Sequence, residues 1–419
     1  MWTALWLATG LIVGLAALVY AGFLAARWFF VPRYPDEIHF ARTDDGWQVA
    51  VFRYRAQLPS GQVTGPAAAS VAGPPVLLTP GIGANRYNFD LSDETSLARY
   101  LAAGGLDVWV LEPRGRGFSS RPRLFSGLRY DWCFDEYAER DLPAAAATVT
   151  RVTGADSLHL VGFSTGALAS YAYLTDPRRR ERVASLVSIG GPATFKRAGT
   201  HVSGRVVRNL RWLRHRFLLR VLAPISGYWH PSPIQLIHNP ENMDGPTQRL
   251  AMVNLISNFS RNELLQYADW LMNDVFRSID HRRDYRAELG RIEVPSLFLA
   301  GPRDLLAPPD AVKDAYDAVS STDKRFLILS RAQQFSVNYG HFDMLLGTHA
   351  RVDVFPVIRE WLAAHGGVQV EPASEAQSEV AAELASSTPA EIVESKATVR
   401  ALGDKAPPAS AAVTATGGN

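Results

Sequence analysis

The feature that most constrains the fold of this chain is a series of short apolar segments, each bounded by glycine or proline. They occupy residues 76–78, 108–111, 158–162, 184–189, 296–300 and 326–329. Runs of this length that do not alternate apolar with polar residues are typical of strands buried on both faces of a sheet. Segments with helical periodicity lie between them. The alternation predicts an α/β fold with a mostly parallel central sheet and helices on both faces.

A hairpin, a linker and a long insertion complete the expected architecture. Residues 38–40 and 48–54 flank an Asp-Asp-Gly turn, which predicts a β-hairpin. Residues 57–75 are rich in Ala, Gly, Pro and Ser and predict a loop or linker. Residues 192–289 contain no convincing buried strand and are too many for a loop. We therefore expect them to form a helical cap over the carboxyl edge of the sheet.

The first residues of the chain predict a membrane helix. No charged side chain lies between Met1 and Ala26, and this length exceeds the roughly 20 apolar residues that cross a bilayer. A cleaved signal peptide is the alternative, but no basic residue precedes the run, which is longer than the apolar region of a usual signal peptide. Because Arg27, Arg33 and Arg42 follow the helix, the positive-inside rule predicts a single-pass membrane protein in which everything after the helix is cytoplasmic.

The last residues of the chain predict a disordered tail. Residues 365–419 consist mainly of Ala, Ser, Glu, Pro and Thr, and such a segment cannot bury enough apolar surface to offset its ordering entropy. The expected organisation is a transmembrane anchor (1–30), a first core segment (31–191), a helical cap (192–289), a second core segment (290–364) and the tail (365–419).

Composition excludes several classes of protein. The formal net charge of +2, from 43 Lys and Arg against 41 Asp and Glu, gives no global reason to expect a nucleic-acid partner. The only cysteine, Cys133, cannot form an intramolecular disulfide or a cysteine-rich zinc module. The motifs H-E-x-x-H, Walker A and G-x-G-x-x-G are absent, so the sequence implies neither a metal nor an organic cofactor.

Three residues in a characteristic order predict nucleophilic catalysis. Gly-Phe-Ser-Thr-Gly around Ser164 follows an expected strand and opens an expected helix, which is the strand–turn–helix context of a G-x-S-x-G nucleophile turn. A serine nucleophile needs a base, and the base needs an orienting carboxylate. Asp304 follows the segment 296–300, and His341 lies beyond the last expected strand. Asp310 and Asp343 are the alternative acids.

An oxyanion hole would require two backbone N–H groups near the nucleophile. Thr165, the residue after the serine, is expected to supply one. The other is expected from Ile82 in the sequence Thr-Pro-Gly-Ile-Gly after the first buried strand, where glycine lets the backbone approach a substrate.

These motifs resemble the α/β-hydrolase superfamily over about residues 36–364. The chain is similar to bacterial lipase- and esterase-type members, and residues 89–101 somewhat resemble polyhydroxyalkanoate synthases, which use cysteine where Ser164 stands. The resemblance implies an α/β-hydrolase fold and a serine hydrolase that cleaves carboxylic esters, with lipophilic acyl esters favoured by the anchor and the apolar cap. An acyltransferase with the same triad, or a non-catalytic scaffold, is the alternative function.

A basic segment in the cap suggests a second membrane contact. Eight Lys or Arg residues lie between Lys196 and Arg220, and no acidic residue occurs between Arg182 and Glu241. Apolar residues recur there at helical spacing, at Val206, Leu210, Leu213, Phe217 and Val221. The segment could be a solvated basic face whose apolar stripe packs on the core, or a helix lying on an anionic membrane surface.

Overall fold

The computed structural model describes residues 2–57, 73–123, 126–210, 215–228 and 236–366. Most of the predicted linker (58–72) and of the predicted tail (367–419) lies outside the described residues. His365, which the sequence assigned to the tail, instead caps the last helix, and its Nε2 lies 2.9 Å from the Asp323 carboxylate. The folded part therefore extends slightly past the predicted boundary.

Eight strands of the described chain form one sheet, in the order β1-β2-β4-β3-β5-β6-β7-β8. β1 pairs antiparallel with β2, β2 pairs antiparallel with β4, and all the other pairs are parallel. This arrangement confirms the predicted mostly parallel sheet and its first hairpin. The strands, from β1 to β8, are Glu37–Arg42, Gln48–Tyr54, Val76–Thr79, Val108–Glu112, Leu158–Phe163, Val183–Ile189, Ser296–Ala300 and Lys324–Ile328.

The last strand differs from its prediction. β8 begins two residues before the expected start, and its side chains are only partly buried or exposed. It lies at the end of the strand order, so it lacks a neighbour on one side. An apolar segment without alternation therefore did not indicate burial on both faces here.

Helices cover both faces of the sheet, and the helical segment after β4 is interrupted. Pro143 lacks an N–H group and cannot donate to the carbonyl of Glu139, so residues 134–152 do not form one continuous α-helix. A π-helical turn, Tyr137–Asp141, lies between two α-helices instead.

The α-helices of the described chain, from α1 to α14, are Trp2–Trp28, Leu97–Ala103, Phe134–Glu136, Leu142–Thr153, Thr165–Leu174, Pro177–Arg180, Ala198–His201, Gly204–Leu210, His215–Leu222, Gly245–Asn254, Arg261–Asn273, Pro309–Ala318, Asp343–Leu346 and Ala350–Ala364.

In the described chain, α1 is the one helix long and apolar enough to cross a membrane. The most apolar 18-residue stretch of Leu5–Trp28 has a mean hydropathy of 2.2, and 6% of that stretch is buried. A signal sequence satisfies the same criteria. The end of α1 nevertheless contacts the rest of the protein, because a Cβ atom on Gly22 would lie 2.9 Å from Val221 and 3.4 Å from Phe217, both in α9.

The basic segment does not form the single helix that its spacing suggested. Residues 196–220 contain α7, α8 and the beginning of α9, with residues 211–214 outside the described chain. Phe217 and Val221, the last members of the predicted apolar stripe, pack against α1, whereas Val206 in α8 is 57% exposed. The stripe is therefore not one continuous surface packed on the sheet.

Candidate active site

Ser164 occupies a sharp turn between β5 and α5. Its backbone has φ 54° and ψ −118°, a conformation that L-residues rarely adopt and that persists only where neighbouring structure holds it. A Cβ atom on Gly162 would lie 2.5 Å from the Ala167 backbone, and one on Gly166 would lie 2.0 Å from the Thr79 carbonyl oxygen. The turn therefore requires glycine on both sides of the serine.

A hydrogen bond joins His341 to Asp304 at the carboxyl edge of the sheet. The His341 Nδ1 and Asp304 Oδ2 atoms are 2.6 Å apart, and both side chains are buried. The other carboxylate oxygen accepts hydrogen bonds from the N–H groups of Leu306 (2.9 Å) and Ala307 (2.7 Å). These bonds fix the carboxylate with one oxygen directed at the imidazole.

The serine turn and the histidine meet at the end of β6. The Ser164 N–H donates to the Ile189 carbonyl (2.8 Å), and a Cβ atom on the next residue, Gly190, would lie 3.1 Å from His341 Cε1. The rings of Phe163 and His341 are 4.8 Å apart. Within the described chain no hydrogen bond joins Ser164 Oγ to the imidazole. Catalytic hydrogen bonds are often long in unliganded enzymes and tighten with substrate.

The two alternative acids occupy different environments. Asp343 accepts hydrogen bonds from the Gly340 N–H (2.8 Å), the Asn239 N–H (3.1 Å) and Asn242 Nδ2 (2.7 Å). It therefore holds residues 338–342, termed the histidine loop, against the cap. Burial raises the pKa of the Asp343 carboxyl. The Asp310 side chain is 59% exposed and forms an ion pair with Arg197. The geometry therefore favours Asp304 as the partner of the imidazole.

The loop after β3, residues 80–85, lies beside the serine turn and is termed the oxyanion loop. Its Gly81 N–H donates to Asn88 Oδ1 (3.0 Å), and its Pro80 carbonyl accepts from the Tyr137 hydroxyl (2.9 Å). The following N–H, that of Ile82, donates to no acceptor among the described residues. Ile82 therefore retains an amide that could donate to a substrate oxygen.

Thr165, the other predicted oxyanion donor, is the first residue of α5. Its Oγ1 accepts a hydrogen bond of 2.5 Å from the Tyr267 hydroxyl in the cap helix α11. Burial raises the pKa of Tyr267 well above its usual value, so the hydroxyl keeps its proton. No sequence pattern indicated Tyr267, Asn88 or Tyr137, because each acts through a tertiary contact that has no local motif.

The single cysteine lies apart from the nucleophile turn. Cys133 is buried at the N-terminus of α3, where its Sγ lies 3.0 Å from the Glu136 carboxylate. Burial and the neighbouring acids raise the pKa of the thiol, so it stays protonated at neutral pH. Among the described residues, no cluster of His, Cys, Asp and Glu could hold a metal ion.

An apolar cavity lies between the cap and the histidine loop and contains about 520 Å³ of empty space, a figure that includes solvent space at its open mouth. One wall is Phe342, whose ring is 5.7 Å from that of His341. Another wall is Ile256, which forms an isolated β-bridge with Ala84 of the oxyanion loop. The other lining residues are Leu219, Ser226, Ile237, His238, Met243, Gln248, Ala251, Met252, Leu255 and Leu346.

A family model of the alpha/beta hydrolase fold matches residues 74–348, well over half of the chain. This range includes the parallel part of the sheet together with Ser164, Asp304 and His341. The chain therefore belongs to the alpha/beta hydrolase family.

Similar proteins define the type of hydrolase more closely. The chain is 26% identical to human lipase member K over 77% of this chain and 86% of that protein. It is 31% identical to human lipase member M over 67% of this chain and 73% of that protein. A thermophilic esterase from Thermogutta terrifontis superposes with a TM-score of 0.51 at 18% identity, covering 79% of this chain and 99% of the esterase. The lipases support a carboxylic ester hydrolase, and the esterase shows the fold.

Replacing Asp304 by Asn should lower kcat for ester hydrolysis by about three to four orders of magnitude, because the amide favours the wrong imidazole tautomer. Steady-state kinetics on a short soluble ester would measure the effect, with circular dichroism as the check of folding. Asp310→Asn serves as the control and should leave kcat within about twofold of the wild type. A larger loss of kcat in Asp343→Asn than in Asp304→Asn would reassign the acid.

Proposed function

We propose that the protein is a serine hydrolase that cleaves carboxylic esters through an acyl-enzyme. The observation that carries the proposal is the 2.6 Å bond between buried His341 and Asp304, in a chain whose Ser164 occupies a strained turn at the same edge of the sheet. The membership of the alpha/beta hydrolase family and the similarity to lipases support it.

In the proposed mechanism, Ser164 Oγ attacks the ester carbonyl while His341 Nε2 accepts the hydroxyl proton. Asp304 holds the Nδ1–H tautomer and stabilises the imidazolium. The N–H groups of Ile82 and Thr165 donate to the oxyanion of the tetrahedral intermediate. His341 then protonates the leaving alcohol. Water, deprotonated by the same imidazole, attacks the acyl-enzyme, which releases the carboxylic acid and restores the serine hydroxyl.

Acyl transfer to an acceptor other than water would use the same first half of this reaction. The two functions differ in the second half, where an alcohol or amine replaces water. A non-catalytic scaffold is the third candidate, and the fixed Asp304 carboxylate argues against it, since a binding protein has no need of an oriented imidazole.

A fluorophosphonate probe should label the wild-type protein at Ser164, and Ser164→Ala should abolish both labelling and ester hydrolysis. The physical reason is that the probe phosphonylates an activated serine by the same attack. Mass spectrometry of the labelled peptide and a hydrolysis assay give the two readouts. Ser164→Ala with wild-type hydrolysis would exclude the proposed function, and a labelled protein that hydrolyses no ester would favour the acyltransferase.

The preferred substrate is proposed to be a lipophilic acyl ester. The apolar cavity borders Phe342 next to the catalytic histidine and Ile256 next to the oxyanion loop, so an acyl chain bound there would extend away from the reacting carbonyl. Burying each CH₂ group of such a chain contributes about 0.8 kcal/mol. The cavity would therefore favour long chains over short ones.

Ala251→Trp should fill the cavity and lower kcat/KM for long-chain esters about 10-fold or more, while hydrolysis of an acetate or butyrate ester stays within about threefold. Kinetics on a graded series of p-nitrophenyl esters would test this. Ala287→Trp, at an exposed position, is the control that adds the same side chain outside the cavity. Equal losses on short and long esters in Ala251→Trp would show that the cavity does not hold the acyl chain.

The apolar helix α1 is proposed to be a retained membrane anchor rather than a cleaved signal peptide. Its last turns pack on α9, and Ala25 is buried there, so the protein uses this end of α1 as a structural contact. Beside that contact, α9 and the following turn expose Leu218, Leu222 and Ile225. Aliphatic side chains next to the end of a membrane helix are suited to the bilayer interface.

The full-length protein should fractionate with membranes, resist carbonate extraction and retain its N-terminal residues, because a helix of this hydropathy is costly to transfer into water. Extraction followed by N-terminal mass spectrometry would measure both properties. Protease protection should show the catalytic domain on the cytoplasmic side. A mature chain that begins near residue 30 would establish the signal-peptide alternative.

A further inference from the structure

We propose that Asn254 is a positioning residue that joins the membrane anchor to the oxyanion loop, so that the chain leaving the anchor helps to hold the loop in its catalytic geometry. The segment concerned, residues 29–34 between α1 and the first strand, is termed the exit strap. The inference rests on the proposed serine-hydrolase function, since it assigns a consequence for catalysis to a contact remote from Ser164.

The side chain of Asn254 binds the exit strap in the manner of a neighbouring strand. Its Nδ2 donates to the Phe29 carbonyl (2.8 Å), and its Oδ1 accepts from the Val31 N–H (3.2 Å). Nδ2 also donates to the Leu250 carbonyl of its own helix (2.8 Å). Asn254 is only 4% exposed, so water cannot readily replace these partners. The amide therefore has both donors and its acceptor engaged, and the strap is fixed at the end of α10.

The main chain of Asn254 and the residues after it bind the oxyanion loop directly. The Asn254 carbonyl accepts from Asn85 Nδ2 (2.7 Å), and the Leu255 carbonyl accepts from the Asn85 N–H (3.1 Å). The Ser257 N–H donates to the Gly83 carbonyl (2.8 Å). Residues 254–257 thus pair with the carboxyl end of the loop, one residue beyond Ile82, whose N–H is the proposed oxyanion donor.

A second route joins the strap to the loop from the other side. The Tyr87 hydroxyl donates to the Val31 carbonyl (2.6 Å). The next residue, Asn88, accepts the Gly81 N–H through its Oδ1. Tyr87 and Asn88 belong to one short 3₁₀ helix, Arg86–Asn88, so a displacement of the strap would move the group that holds Gly81. The strap therefore contacts the supports on both sides of Ile82.

The consequence for catalysis follows from the demands of an oxyanion hole. A donor must lie 2.7–3.1 Å from the position of the developing oxyanion, and a displacement of about 1 Å costs on the order of 10²-fold in rate. Contacts that fix the Ile82 amide mainly stabilise the transition state, because the negative charge on the substrate carbonyl oxygen develops only as that state is reached. Weakening the strap should consequently lower kcat and leave KM nearly unchanged.

The test compares Asn254→Ala and Tyr87→Phe with the wild type, using the full-length protein in detergent micelles. The readouts are kcat and KM for p-nitrophenyl butyrate, the rate of fluorophosphonate labelling and the melting temperature. Asn254→Ala should lower kcat and the labelling rate about 5- to 50-fold with KM within about twofold. Tyr87→Phe removes one hydroxyl and should lower kcat about 2- to 10-fold. This milder substitution should leave the fold intact, so it still tests the inference if Asn254→Ala does not fold.

Gln266→Ala is the matched control. Gln266 is 2% exposed and lies in the cap helix α11, where its side chain also makes three hydrogen bonds, to the Phe134 N–H, Asp135 and the Arg277 carbonyl. The control should lose a similar amount of thermal stability but keep kcat within about twofold. If Asn254→Ala and Tyr87→Phe lower only the melting temperature, as the control does, the strap is structural and the inference is wrong. In that event hydrolysis would still depend on Ser164, whereas activity surviving in Ser164→Ala would refute the proposed function itself.

Discussion

The close approach of α5 to the end of β3 is the constraint on which the rest of the site depends. β3 and β5 are parallel neighbours with Thr79 opposite Gly162, and the Thr79 hydroxyl donates to the carbonyls of Val161 and Gly166. This contact brings the start of the oxyanion loop against the first turn of the helix that follows Ser164. A strained residue such as Ser164 costs about 1–3 kcal/mol, which the surrounding contacts must offset. The sheet and α5 thus place Ser164 and the oxyanion loop together without any contact from the cap.

Residues of the cap hydrogen-bond to each part of the candidate site. Tyr267 in α11 bonds to Thr165, Asn242 bonds to the Asp343 carboxylate beside the histidine loop, and residues 254–257 pair with the oxyanion loop. The cap therefore supports the candidate site through direct hydrogen bonds. Because α1 packs on α9 of the same region, the N-terminal helix and the candidate site at the carboxyl edge of the sheet share one set of supports.

The sequence predicted what depends on local pattern and missed what depends on tertiary contact. Apolar segments and the G-x-S-x-G turn predicted the sheet and the position of Ser164, since strand ends and sharp turns have local signatures. The order of Ser164, Asp304 and His341 predicted a triad, and the geometry joins the last two, although their catalytic roles stay a prediction. Asn254 carries no motif; its importance comes from partners more than 160 positions away. The basic segment was wrongly expected to be one helix, because spacing alone does not reveal where a helix ends.

Two buried ion pairs complete the connection between these elements. Glu112 at the end of β4 accepts from Arg86 at 3.2 Å, and Arg116, in the loop that follows, is paired with Glu263 of the cap helix α11. All four side chains are almost fully buried, and such pairs add little net stability because the cost of desolvating both charges offsets their attraction. These pairs instead fix the relative positions of the elements that they join, because each guanidinium must lie within hydrogen-bond distance of its carboxylate. Arg86 belongs to the short helix that holds Gly81, and Glu263 to the helix that holds Thr165, so the end of β4 and the loop after it are ion-paired to the supports of both proposed oxyanion donors.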